Sequence, residues 1–262
     1  MPEYLNKNSY LIGQHRLVEQ RKERKKIKNK LLFLFILVIF NLFLLLLLRS
    51  PYFAINYIQI DGLDKLSLEE IYSAAGIREG MNIWKISPPE LRDRILQIPR
   101  VAGAEVERIL PGGLHIFIRE KYPLVLIPFH GYYLEVAGDG IIIGLRDDFL
   151  GELPLVSGLF WGKMDVGTNI PDRTRGEIVE IFLQVLSRLP ALPLAEINVS
   201  DPQQIVVYTR EGMEVWLGGS KDLEKKLNVL MHLYPRLPSL ENNSLEGYLD
   251  LRAAEAPVFR PF

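Results

Sequence analysis

The sequence contains no cysteine among its 262 residues, which excludes disulfide bonds and thiolate-bound metals. It also lacks the short motifs of common hydrolases and acyltransferases, since HExxH, SxxK and GxSxG are all missing. The four histidines, His15, His115, His130 and His232, never fall two to a motif. Residues 218–221 contain glycine and lysine but do not complete a GxxxxGK[ST] phosphate loop. These absences argue against an enzyme with a known motif, a metalloprotein and a nucleotide-binding protein.

Long apolar runs are equally scarce, and only residues 31–48 form one, with Asn41 as its single polar member. A helix of this length reaches roughly 27 Å, close to the hydrocarbon thickness of a bilayer. A cleaved signal peptide is the main alternative. The run is longer than a signal core, however, and no small-x-small cleavage pattern follows it. We therefore predict an uncleaved transmembrane helix over residues 31–48.

Positive charge is concentrated before this run. Residues 1–30 contain nine Lys and Arg and three Asp and Glu. The remainder of the chain contains 22 Lys and Arg and 29 Asp and Glu. The positive-inside rule predicts a cytoplasmic tail over residues 1–30, with the bulk of the chain outside the cytoplasm. A nucleic-acid-binding arm is the alternative use of the basic cluster, and we favour contact with anionic lipid headgroups.

The region after the apolar run predicts the element order strand, helix, helix, strand, strand. Residues 55–62 alternate as a strand does, and Ser67 with Glu70 forms the S-x-x-E pattern that opens a helix. A second helix follows from residue 88. Two alternating runs, residues 104–110 and 114–120, then flank a Pro-Gly-Gly cluster, which is typical of a hairpin.

Beyond residue 123 the chain is rich in strands. Three runs over residues 124–145 predict a meander, and residues 172–189 have the apolar spacing of a helix. Residues 204–208 and 213–217 flank a turn and are expected to pair. A helix capped by Ser220 follows, and the last predicted strand covers residues 248–252.

These patterns, taken together, resemble the FtsQ/DivIB family of bacterial division proteins. In the first region the matching positions are Ile58, Ile60, Gly62, Gly80, Asn82, Leu96, Pro99, Val101, Val106, Arg108, Pro111, Leu114, Ile116, Ile118, Glu120 and Pro123, which resemble a POTRA domain. In the second region, residues 214–227 (EVWLGGSKDLEKKL) and the terminal Asp250-Leu251-Arg252 are similar to the family's outer domain. One departure is Ala253, where the family often has an aromatic residue.

The resemblance implies an α+β protein: one transmembrane helix, a POTRA-like β-α-α-β-β domain and a second mixed α/β domain with a largely antiparallel sheet. The expected boundaries are 1–30 for the cytoplasmic tail, 31–48 for the transmembrane helix, 52–122 for the POTRA-like domain, 123–252 for the second domain and 253–262 for an extended tail. The expected location is the inner cell membrane at the division septum, as a single-pass protein.

The resemblance also implies a non-enzymatic scaffold that binds FtsB/DivIC-type and FtsL-type single-pass division proteins, with no cofactor, metal, nucleic acid or small-molecule substrate. The expected binding residues are Tyr248, Asp250, Leu251, Arg252 and Phe259. In this hypothesis an exposed last strand accepts a partner strand, Arg252 pairs with a partner carboxylate, and Phe259 is an apolar anchor.

Three alternatives stay open at this point. Asp250 and Arg252 could instead pair with each other, with the tail disordered. The whole chain could be a membrane-anchored cell-wall enzyme, or a chaperone-like POTRA module that binds unfolded strands.

Overall fold

The computed structural model describes residues 26, 28–160, 162–189, 192–236 and 247–261. Most of the predicted cytoplasmic tail, residues 1–30, therefore lies outside the described residues. Backbone contacts divide the described residues into two compact units: those within 1–58, 78–87 and 108–114 form the first, and those within 59–77, 88–107 and 115–262 form the second. The first unit thus joins the long apolar helix to two short segments from the region that follows it.

The apolar run forms helix α1, Lys28–Leu48, with a mean hydropathy of 3.3. Its apolar side chains are exposed from Leu31 to Leu47. Asn41 satisfies one donor internally, since its Nδ2 donates to the Leu37 carbonyl at 2.9 Å. In the described part of the chain, α1 is the one helix long and apolar enough to cross a membrane, and it indicates a single-pass membrane protein.

A three-stranded sheet and two short helices follow. They are β1 (Tyr57–Asp61), α2 (Leu68–Ala75), α3 (Pro88–Ile95), β2 (Val101–Ile109) and β3 (Gly113–Glu120), with the sheet order β1-β3-β2. The predicted β-α-α-β-β order is confirmed. Ser67 and Glu70 form the predicted capping box at the start of α2, and Gly76 ends that helix in the left-handed conformation with φ 65°.

The second region is a nine-stranded sheet with two helices. Its elements are β4 (Pro123–Phe129), β5 (Tyr132–Ala137), β6 (Ile142–Arg146), β7 (Leu155–Ser157), α4 (Arg173–Arg188), β8 (Leu194–Asn198), β9 (Ile205–Thr209), β10 (Glu214–Gly218), α5 (Leu223–Leu233), β11 (Gly247–Asp250) and β12 (Val258–Pro261). The strand order is β12-β11-β10-β9-β8-β7-β4-β5-β6. The predicted meander of β4, β5 and β6 is antiparallel, and β9 pairs antiparallel with β10 as expected.

One face of this sheet carries the core. Alternate strand residues form a single buried cluster with residues of α4 and α5, including Phe182, Leu183 and Leu227, which are fully buried. Among the described residues no helix packs on the opposite face, where the intervening residues of β8–β11 are half-buried. This half-exposed side is called the open face below.

Two strands and one cap differ from the sequence-based expectations. No strand was predicted where β8 lies, and β12 falls in residues 253–262, which were expected to form an extended tail. The predicted Ser220 cap is wrong, since Asp222 is the N-cap residue of α5. Asp222 has a left-handed backbone, φ 55°, and no side-chain capping bond. The Ser220 carbonyl instead accepts the Leu223 N–H at 3.3 Å, which closes a turn before the helix.

Candidate partner-binding site at the end of the nine-stranded sheet

The predicted site lies where the nine-stranded sheet ends. β11, which carries Tyr248 and Asp250, runs parallel to β10, with Trp216 opposite Asp250. β12 returns antiparallel along the other side of β11 and places Arg260 opposite Tyr248. The expectation that the strand of Asp250 is the exposed edge is therefore corrected: β11 is covered on both sides, and β12 is the edge strand.

Two aromatic rings stack on the open face beside this edge. The Trp216 and Tyr248 ring centroids lie 4.4 Å apart, with 14° between the ring planes. The Arg252 guanidinium lies over the indole, with Cζ 5.2 Å from the ring centroid. We call Trp216, Tyr248 and Arg252 the aromatic platform. It presents flat apolar surface and one cation next to the backbone of the edge strand.

Arg252 also forms an ion pair with Asp250. Its Nε donates to Asp250 Oδ1 at 3.0 Å, and its Nη2 donates to Asp250 Oδ2 at 2.6 Å. These hydrogen bonds lower the pKa of Asp250 below its ordinary value and raise the pKa of Arg252. Asp250 and Arg252 therefore pair with each other, as one of the three alternatives expected. The Arg252 guanidinium, which was predicted to bind a partner carboxylate, already binds the carboxylate of Asp250.

Leu251 and Phe259 belong to the core side of the sheet. Leu251 is fully buried, and its N–H donates to the Trp216 carbonyl at 2.9 Å. Phe259 lies opposite Leu249 and is half-buried against the core cluster. Neither side chain lies on the open face. The β12 residues on the open face are Val258, which is 44% exposed, and Arg260.

A small cleft adjoins the aromatic platform. It has a volume of about 220 Å³, and Gln204, Val206, Glu214, Trp216 and Arg252 are among its lining residues. Aromatic, aliphatic, amide and charged groups thus meet within one depression. Such a mixture suits one or two side chains of a bound polypeptide better than a reactive small molecule.

Lys226 is a buried residue that the sequence analysis did not single out. It is 6% exposed, and its Nζ donates to the carbonyls of Leu217 at 2.6 Å and Gly219 at 3.2 Å. Burial lowers the pKa of Lys226 below its ordinary value of 10.5. The amine fastens α5 to the end of β10, behind the platform. The sequence could have indicated that Lys226 is buried, because it lies between Leu223 and Leu230 on the apolar side of α5.

No group of three or more His, Asp or Glu side chains within the described ranges is placed to hold a metal ion. The platform, the cleft and the edge strand offer hydrogen-bonding backbone, aromatic surface and charge. These are the groups with which proteins recognise an extended polypeptide.

Two family models match the chain. The model described as POTRA domain, FtsQ-type, matches residues 53–121, and the model described as cell division protein FtsQ/DivIB, C-terminal, matches residues 127–252. Together they account for about three quarters of the 262 residues. The second match ends at Arg252 and so includes β11 and the aromatic platform.

Curated relatives agree with the family models. The chain is 24% identical to the cell division protein DivIB of Clostridium acetobutylicum, over 82% of this chain and 85% of the relative. It is 24% identical to DivIB of Clostridium botulinum strain Hall, over 95% of this chain and 97% of the relative. It is also 28% identical to the cell division protein FtsQ of Syntrophotalea carbinolica, over 73% and 69%.

The similar solved structures include the major extracytoplasmic domain of the trans isomer of DivIB from Geobacillus stearothermophilus. The superposition covers 45% of the chain described here and 94% of the solved domain, with 16% identity and a TM-score of 0.33.

Proposed function

Because this chain belongs to the FtsQ/DivIB family of bacterial cell division proteins, we propose that it is a non-enzymatic scaffold of the division complex. Its expected partners are FtsB/DivIC-type and FtsL-type single-pass proteins. Through these partners the chain helps to control septal peptidoglycan synthesis, which separate enzymes perform. The domain boundaries that we propose are 52–122 and 123–252, in keeping with the matched ranges 53–121 and 127–252.

The observation that carries the proposal is the position of β12 at the edge of the nine-stranded sheet. The backbone groups on the outer side of an edge strand have no neighbouring strand, so a partner strand gains hydrogen bonds by pairing there. Pro257 and Pro261 bound the strand, and neither supplies an N–H. The partner strand therefore pairs with a short stretch centred on residues 258–260.

The aromatic platform supplies selectivity in this proposal. Residues of a strand paired to β12 alternate between the two faces of the sheet, so every second partner side chain lies on the open face. Those side chains meet Val258 and Arg260 first and the aromatic platform behind them. A partner strand with an apolar or aromatic residue next to a carboxylate matches this surface. We propose that Tyr248 and Arg252 contact the partner as part of the platform, that Asp250 holds Arg252 in place, and that Leu251 and Phe259 support the platform from the core.

Site-specific photo-cross-linking tests the proposal on the full-length chain in membranes. A photo-cross-linking amino acid is placed at position 258, on β12, or at position 145, on β6. These residues are 44% and 51% exposed, and they lie on the two edge strands of the same sheet. We expect position 258 to cross-link to the DivIC-type protein of the same cell and position 145 to leave it unmodified. Equal cross-linking at both positions, or cross-linking at 145 alone, contradicts the assignment.

A turnover assay separates the scaffold from the wall-enzyme alternative. The purified full-length protein is incubated with peptidoglycan and with lipid-linked precursor, and the products are analysed by mass spectrometry. We expect neither hydrolysis nor transpeptidation above the buffer control. Measurable turnover that the protein alone supports would show that the chain is an enzyme.

A further inference from the structure

The first compact unit contains a cluster of exposed apolar side chains close to the end of α1. Its members are Tyr52, Met81, Trp84, Ile109 and Leu110, which are between 37% and 67% exposed. Scattered single exposed apolar residues need no explanation, whereas a group on one surface does. We call these five residues the juxtamembrane surface. They come from three separate stretches of sequence that belong to the same unit.

Hydrogen bonds hold these three stretches at the helix end. Asn82 Nδ2 donates directly to the carbonyl of Leu48, the last residue of α1, at 2.8 Å. The Ile55 N–H donates to the Met81 carbonyl at 2.8 Å, and the Asn56 N–H donates to the Gly112 carbonyl at 2.9 Å. The loop of Trp84 and the hairpin tip after Leu110 are therefore both bonded to the short segment that leaves the membrane helix.

The indole of Trp84 is held in place from two sides. The Phe53 ring packs edge-on against it, with 5.7 Å between centroids, and the Arg108 guanidinium carbon lies 5.7 Å from the indole centroid. Tyr52 contacts Phe53 in turn, at 5.3 Å. The result is a row of aromatic rings that begins within a few residues of the last residue of α1.

Charge in the same stretches suits a lipid surface. Residues 49–58, 78–87 and 108–114 contain Glu79 as their one acidic residue. Arg49, Arg78 and Lys85 are exposed cations in these stretches. Trp and Tyr rings with neighbouring Lys and Arg are the residues that favour the interface between hydrocarbon and water.

We propose that the juxtamembrane surface lies in the lipid headgroup layer of the leaflet in which α1 ends. This layer is roughly 5–8 Å thick on each side of the hydrocarbon core, and the bonds to Leu48, Ile55 and Asn56 keep both loops beside the point where the chain leaves it. The occupant of the surface is lipid. The first folded segments are thus docked on the membrane by three stretches of sequence, which fixes their tilt relative to α1.

Single cysteines test this proposal, because the chain has none of its own. Leu110→Cys and Met81→Cys report on the two loops, and Leu150→Cys is the control for Leu110→Cys, since Leu150 is 61% exposed and Leu110 is 55% exposed. Each full-length variant carries a polarity-sensitive fluorophore and is placed in vesicles of phosphatidylethanolamine and phosphatidylglycerol. Quenching is measured with aqueous iodide and with lipids brominated near the headgroup.

We expect iodide to quench the labels at 110 and 81 about threefold less than the label at 150, and brominated lipid to quench only the first two. Equal quenching of all three labels by iodide would overturn the proposal. Protection of 110 and 81 in native membranes but not in pure lipid vesicles would also overturn it, because a membrane protein would then be the occupant. Circular dichroism of each variant verifies that the fold is kept.

Discussion

At the residue scale, Glu120 has an unusual concentration of hydrogen bonds. It is 5% exposed, and its Oε1 accepts the consecutive N–H groups of Asp64 at 2.7 Å, Lys65 at 3.1 Å and Leu66 at 3.0 Å. Burial raises the pKa of Glu120, but these three bonds and the nearby charge of Arg100 together lower it below its ordinary value of 4.5. The ionised form therefore stabilises the fold.

Glu120→Gln is expected to lower the local unfolding free energy by about 2 kcal/mol, because charge-assisted bonds become neutral ones. Amide hydrogen exchange at Asp64, Lys65 and Leu66 measures the effect, with Glu107→Gln as the exposed control on β2. A depressed native pKa gives stability that is complete above 4.5 and is lost as the pH falls through the native value. The difference between wild type and Glu120→Gln should therefore shrink in acid, and a constant difference would contradict this account.

The ion pair between Asp250 and Arg252 gives a second residue-scale prediction. Arg252→Glu places two carboxylates together beside Trp216 and should lower recovery of the DivIC-type partner in co-purification by roughly fivefold. Because the structure pairs Arg252 internally, the swap Asp250→Arg with Arg252→Glu should restore recovery. If the swap fails while circular dichroism shows an intact fold, the ion pair does not explain the role of Arg252, and the cation itself must lie over the Trp216 indole for the partner to bind. Unchanged recovery for Arg252→Glu would remove Arg252 from the site.

At the element scale, the two faces of β12 have different roles. One face packs against the core, and we expect the other to contact the partner. Phe259 packs against the core opposite Leu249, while Val258 lies opposite Asp250 and is 44% exposed. Phe259→Ser should lower the unfolding free energy of the detergent-solubilised full-length protein by about 2 kcal/mol, less than for a fully buried phenylalanine. Val258→Ser should stay within about 0.5 kcal/mol of wild type.

Partner co-purification then separates the two roles of β12. We expect Val258→Ser to weaken recovery of the partner although thermal unfolding is unchanged. If Val258→Ser leaves recovery at the wild-type level, the outer face of β12 is not the docking surface. If Val258→Ser itself unfolds the protein, the assignment of its side chain to the open face is wrong.

Local patterns predicted the elements that local forces determine. The capping box of Ser67 and Glu70 and the hairpin of β2 and β3 both depend on residues close in sequence, and both are confirmed. β12 was not predicted, because a four-residue segment that follows one proline and ends in another forms a strand only through pairing with β11, and that partner cannot be read from local spacing. β8 was missed for a similar reason, since its neighbours β7 and β9 define it as part of the sheet.

Sequence reasoning named the residues of the candidate site but not their geometry. The Asp250-Leu251-Arg252 segment lies at the end of the sheet, and alternation along the chain there puts Leu251 in the core and Asp250 on the open face. The stacking of Trp216 on Tyr248 could not be predicted, because it depends on the parallel pairing of β10 with β11. A parallel neighbour far away in sequence leaves no local signal.

At the scale of the whole molecule, the distribution of charge determines how the chain sits in a membrane. Residues 1–30 carry nine Lys and Arg against three Asp and Glu, and the rest of the chain has an excess of acids. Basic residues are retained on the cytoplasmic side during insertion. We therefore expect both the aromatic platform and the juxtamembrane surface to face away from the cytoplasm, where septal wall synthesis takes place.

Thiol labelling of intact protoplasts tests this orientation. Leu145→Cys, at a side chain that is 51% exposed, should react with a membrane-impermeant maleimide before permeabilisation, because the sheet lies outside. Ser9→Cys, in the basic leader, should react only after permeabilisation. The reverse pattern would place β12 in the cytoplasm, and then neither docking of an extracytoplasmic partner strand at β12 nor contact of Trp84 with the outer leaflet could occur.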